Sequence, residues 1–164
     1  MELFAWLEST GLAAWVRESS SLWAYPTILF LHSLGMIIVV GLGISVDLRI
    51  MGLAPQIDLE PLERIFPIMW YGFSINAASG ALLLIADATT KLANPVFYLK
   101  LLFIVVALVV TSMMRRKLYR NLAGERASIT PNLKFLALTS FVCWIGAITA
   151  GRLMAYLGPV SGLQ

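Results

Sequence analysis

A single imidazole, His32, stands inside the apolar run TILFLHSLGMIIVVGLG, and it is the only histidine in the chain. Polar groups within a membrane span are costly, so each needs a partner or a task. At 100° per residue His32 shares a helix face with Ile28, Leu29, Gly35, Met36, Val39 and Gly43. A histidine beside two glycines suits either a bulky flat ligand or the close approach of another helix.

The other groups able to do chemistry are few. The second apolar stretch carries the stripe Met69, Gly72, Asn76, Gly80, Leu83 and Asp87, with Ser79 at its margin, and this polar face is expected to look into a bundle. Lys100 aligns with Ile104, Ala107, Thr111 and Met114, and Arg152 with Phe141, Ile145, Ile148, Ala155 and Tyr156. At 1.5 Å per residue, His32 lies roughly 13 Å in from the outer end of its helix and Arg152 about 7 Å in from the outer end of its own. The sequence therefore predicts one outward-facing polar cluster of His32, Asp87, Lys100, Arg152 and Tyr156.

Three readings suit that cluster. One is a b-type haem site, with His32 as axial ligand, Gly35 beside it admitting the ring, and Lys100 and Arg152 pairing the propionates. A second is packing, in which Asp87 pairs with Lys100 or Arg152 and His32 hydrogen-bonds a neighbouring helix. A third is copper, since thioethers suit Cu(I), although the 7 methionines form no series on one face. The haem reading lacks a second axial histidine, so a five-coordinate site is its simplest form.

These residues must be positioned by helices in lipid. Of 164 residues 59% are hydrophobic and 13% charged, and the mean hydropathy is +0.83, far from a soluble domain. Four spans are expected, at about 23–46, 66–86, 95–114 and 133–157, forming an all-α four-helix transmembrane bundle in one domain. Residues 2–20 mix Trp6 and Trp15 with Glu8, Arg17 and Glu18 and suit an interfacial amphipathic helix. Glu2 and Glu8 stand where a signal peptide would be basic, so this start is read as retained. The lone Cys143 excludes an internal disulfide or a CxxC motif.

A net charge of +3 does not indicate nucleic acid, because the basic residues gather at span ends. Arg49 and Arg64 flank the first connection, and Arg115, Arg116, Lys117, Arg120, Arg126 and Lys134 the third; the other side has Arg17, Lys91 and Lys100. The positive-inside rule then puts both termini on the periplasmic side of a bacterial inner membrane. Asp47 and Arg49 fall at the cytoplasmic boundary, where Asp47 is expected to pair with the basic run from Arg115. The small residues Gly146, Ala147, Ala150 and Gly151 suit close packing against a helix of this chain or of a second copy.

The segments SSLWAYPTILFLHSLGMIIVVGLGISVDLRIMG, YGFSINAASGALLLIADATTKLANPVFYLKLL and WIGAITAGRLMAY together resemble a family of small bacterial membrane proteins defined by a domain of unknown function. The resemblance spans nearly the whole chain and implies a four-helix inner-membrane fold. More distantly, the first-span histidine and the lysine opening the third span are similar to membrane-bound protoporphyrinogen oxidase and to copper-resistance membrane proteins. That likeness implies a haem ligand at His32 and a functional base or anion partner at Lys100. The chain departs from those patterns at Leu29, where an acidic residue is usual, and at Arg115, where a histidine is. The expected function is haem-linked redox or electron transfer in the inner membrane; the alternatives are a non-catalytic accessory subunit of a larger membrane complex and copper handling.

Overall fold

A computed structural model describes residues 2–56, 62–122 and 129–156. Among them the regular structure is helical throughout: α1 (Glu2–Glu8), α2 (Gly11–Glu18), α3 (Tyr25–Met51), α4 (Leu62–Ile85), α5 (Ala88–Ala93), α6 (Pro95–Leu122) and α7 (Pro131–Tyr156). Four of these, α3, α4, α6 and α7, are long and apolar enough to cross a membrane. The protein is thus a multi-pass, all-α membrane bundle, as its composition requires.

Local chemistry sets the ends. Pro26 sits in the first turn of α3, where its missing N–H costs nothing. Gly52 terminates α3 with φ +90, its N–H bonded to the Arg49 carbonyl while Leu53 N–H reaches Leu48, a left-handed cap that only glycine enters cheaply. The helix therefore runs past Val46 and Asp47, five residues beyond the expected end. Helix α4 starts at Leu62 rather than Phe66 and takes Pro67 into its body. Helix α6 opens on Asn94, whose Oδ1 accepts from Val96 N–H at 2.9 Å, then Pro95, and continues through the basic cluster.

Packing divides the bundle into two hairpins. Helix α3 packs along α4 and α6 along α7; α3 also packs on α7, whereas α4 and α6 scarcely touch. Apolar burial between the hairpins centres on Val39, Val46, Ile50, Phe66, Met69, Met114, Leu133 and Trp144. Many large apolar side chains point outward, among them Phe30, Ile37, Leu102, Val105 and Val142, which suits lipid as the solvent. The small residues of α7 are used internally: a Cβ on Gly146 would lie 2.9 Å from the Phe103 ring, and Ala147 and Ala150 are buried.

The amphipathic start forms two short helices, not one. Thr10 caps α2, its hydroxyl accepting from Ala13 N–H at 3.3 Å, and this breaks the segment before Gly11. Val16 inserts beside Ile28, Leu83 and Ala86, while Trp6 and Trp15 remain exposed. Glu8 Oε1 accepts from Thr89 N–H at 2.6 Å and from the Thr89 hydroxyl at 2.7 Å, tying α1 to α5.

Those two hydrogen bonds hold the Glu8 carboxyl below its usual value of 4.5, with Arg17 adding a smaller attraction. A depressed carboxyl contributes stability that is complete above the unfolded value and lost as pH falls through the folded one. Docking of α1 is therefore expected to weaken below pH 4.5. Emission from Trp6 and Trp15 in nanodiscs should follow that transition, and Glu8→Gln should remove it; an unaltered acid transition in the variant would contradict the contact.

Candidate functional site

The site lies in the half of the bundle nearest α1 and α2. His32 is the eighth residue of α3 and Lys100 the sixth of α6, about 10 Å and 8 Å from their helix starts, so the two share a level. They line one small cavity of about 30 Å³, together with Met36, Asn76, Phe73 and Trp144. That volume holds about one water molecule.

Hydrogen bonds fix the His32 ring. Its Nδ1 lies 2.9 Å from the Asn76 carbonyl oxygen, which can only accept, so Nδ1 carries the proton. Asn76 Nδ2 in turn donates to the His32 carbonyl at 2.7 Å, and Ser79 Oγ, donating to Ile75 O, stands 3.4 Å from Nδ1. The neutral ring in this tautomer has its lone pair on Nε2, which makes no hydrogen bond among the described residues. Imidazoles that ligate metals are commonly oriented in this way, with one nitrogen tied to a carbonyl and the other left as donor atom.

Glycines create the space, but for protein rather than for a ligand. A Cβ on Gly35 would lie 2.6 Å from Asn76 N and 2.7 Å from Gly72 O, so α3 and α4 meet backbone to backbone there. A Cβ on Gly80 would lie 2.9 Å from His32 Cε1, so the ring rests on Gly80 itself. Both expected faces, on α3 and on α4, point inward as the sequence indicated; Leu29, which is exposed, is the exception.

The remaining predicted members separate. Asp87 pairs with Lys91 at 3.5 Å, one turn along the chain, rather than with Lys100 or Arg152. Arg152 and Tyr156 are exposed on α7, and neither lines the His32 cavity. The interior face of α7 is Leu133, Ala137, Ser140, Trp144, Ala147 and Ala150, so its polar seam runs through Ser140 and not Arg152. A long arginine side chain carries its charge outward, whereas small residues allow α6 to approach. Gly151 does lie at the site: a Cβ there would be 3.7 Å from Lys100 Cε.

Asp47 does not pair with the basic run. It is fully buried, and among the described residues neither carboxylate oxygen has a hydrogen-bond partner. Arg115 stands over the Phe66 ring at 5.9 Å instead. Sequence reasoning also passed over Trp144, halfway along α7 and 2% exposed. Tryptophan favours the membrane interface, so one at mid-span was the signal. An open cleft of about 460 Å³ lies apart from the cavity, between α2, α4 and α5, where Glu8, Arg17, Asp87 and Lys91 present both signs of charge.

Among the described residues no three His, Cys, Asp or Glu side chains converge as a metal cluster. The chain matches no protein-family model, no curated protein and no solved structure.

Proposed function

We propose that this multi-pass membrane protein offers His32 as a single axial ligand to a haem b and serves haem-linked electron transfer. The supporting observation is the ring's hydrogen bond to the Asn76 carbonyl, which leaves Nε2 without a hydrogen bond among the described residues, on a mostly apolar cavity that Lys100 also lines. Were haem bound, His32 would ligate its iron and the Lys100 ammonium would pair a propionate. Arg152 and Tyr156, exposed on α7, do not line that cavity.

The fit is incomplete in one respect. Ligands of this kind occupy pockets of about 300–1,000 Å³, and the cavity beside His32 has about 30 Å³. The closed bundle therefore provides a ligand and a counter-ion but not the volume for a macrocycle. When bound, haem would supply a one-electron couple. The chain's own residues orient the imidazole, hold its proton on Nδ1 and bring Lys100 to the same cavity.

The charge bias of the connections favours both termini on the periplasmic side of a bacterial inner membrane, with the His32 level in the outer half. Haem titrated into the purified protein should bind more weakly by about tenfold in Lys100→Ala, the equivalent of about 1.4 kcal/mol for one charge-assisted contact. Arg152→Ala, exposed on α7, should leave binding unchanged. Equal losses in both variants would remove Lys100 from the site. A protein that takes no haem but copurifies in fixed ratio with another membrane enzyme would instead support an accessory subunit.

A further inference from the structure

A second polar level lies beyond Trp144, toward the end of the bundle away from α1 and α2. On α3, Gly43 and Asp47 stand one turn apart on one face; on α7, Ser140 and Trp144 do the same. The helices run in opposite directions, so Gly43 meets Trp144, whose Nε1 would lie 2.9 Å from a Cβ there, and Asp47 meets Ser140. Asp47 and Ser140 are both 0% exposed, and Ser140 Oγ lies 3.4 Å from the Thr111 hydroxyl. Three buried atoms here have no hydrogen-bond partner among the described residues: both Asp47 carboxylate oxygens and Trp144 Nε1.

An ionised carboxylate in this place would be a buried charge with neither oxygen hydrogen-bonded among the described residues. Ser140 is a polar side chain that faces it. A hard metal cation would require a shell of oxygen atoms. The site instead provides one carboxyl, two hydroxyls and an indole N–H, whose positive end opposes a cation.

We infer that Asp47, faced by Ser140 and Trp144, is a proton-binding site within the membrane, a carboxyl kept as the neutral acid and able to release its proton toward the nearer end of the bundle. On release the carboxyl O–H bond breaks, the proton passes to water, and the charge stays on the carboxylate. Trp144 Nε1–H and the Ser140 hydroxyl are then the donors that receive it. This site does not depend on haem binding at His32. Trp144 borders both levels, since its ring also lines the His32 cavity.

Infrared spectroscopy of the whole protein in nanodiscs tests this. At neutral pH a protonated-carboxyl C=O band is expected, shifting down in D2O, lost in Asp47→Asn and kept in Asp87→Asn. Trp144→Phe, which retains an aromatic ring but removes the N–H, should shift the band. Aspartate labelled with 13C at the side-chain carboxyl should move it in the unmutated chain, which keeps the test valid even if Asp47→Asn fails to fold. Absence of the band, its persistence in Asp47→Asn, its indifference to the label, or a carboxylate band that responds to added sodium would each overturn the proposal.

Discussion

Gly35→Ala is expected to cost about 1–3 kcal/mol, toward the upper end, because it forces overpacking where nothing can yield. The added methyl would sit 2.6 Å from the Asn76 backbone nitrogen and 2.7 Å from the Gly72 carbonyl oxygen, and neither can rotate away. Relief requires α3 and α4 to move apart, which would also loosen the Asn76 carbonyl from His32 Nδ1. Gly41→Ala is the control, since no atom lies within 4 Å of its added Cβ. Alanine there should be neutral or stabilising by up to about 1 kcal/mol through helix propensity. Thermal unfolding in detergent compares the two; equal midpoints would contradict the close crossing.

His32→Ala should cost about 2 kcal/mol or more, from the cavity left above Gly80 and the hydrogen bond lost at the Asn76 carbonyl. The more informative result is its coupling to Gly80→Ala. Alone, Gly80→Ala drives a methyl to 2.9 Å from His32 Cε1 and should destabilise. In the His32→Ala background the same methyl enters vacated space, so its cost should disappear or change sign. Strict additivity in this double-mutant cycle would mean that the ring does not rest on Gly80.

Much of this arrangement is legible in the sequence because helical periodicity fixes which residues share a face. The inward faces of α3 and α4, with His32, Gly35, Asn76 and Gly80, follow from a 100° step, and the common level of His32 and Lys100 follows from alternating helix directions. Helix α7 departs from its periodicity for a physical reason. Arg152 marks a polar seam by its type, but a long charged side chain near a helix end reaches outward, and the interior is marked by Ser140, Trp144 and alanines. Asp47 differs similarly. A span that ends at Val46 makes it a boundary residue, whereas the Gly52 cap carries α3 one turn further and leaves Asp47 inside. The role of the glycines could not be read from spacing, because a gap for a ligand and a gap for a neighbouring backbone require the same residue.

That ambiguity converges on one optical measurement. The absorption spectrum of the detergent-purified protein, taken as isolated and after haem titration, is expected to show a Soret band that shifts on reduction in the unmutated chain and is lost in His32→Ala. A His32→Ala protein that keeps the same band, or an unmutated protein that stays colourless and takes up no haem, would contradict the assignment of His32 as a haem ligand.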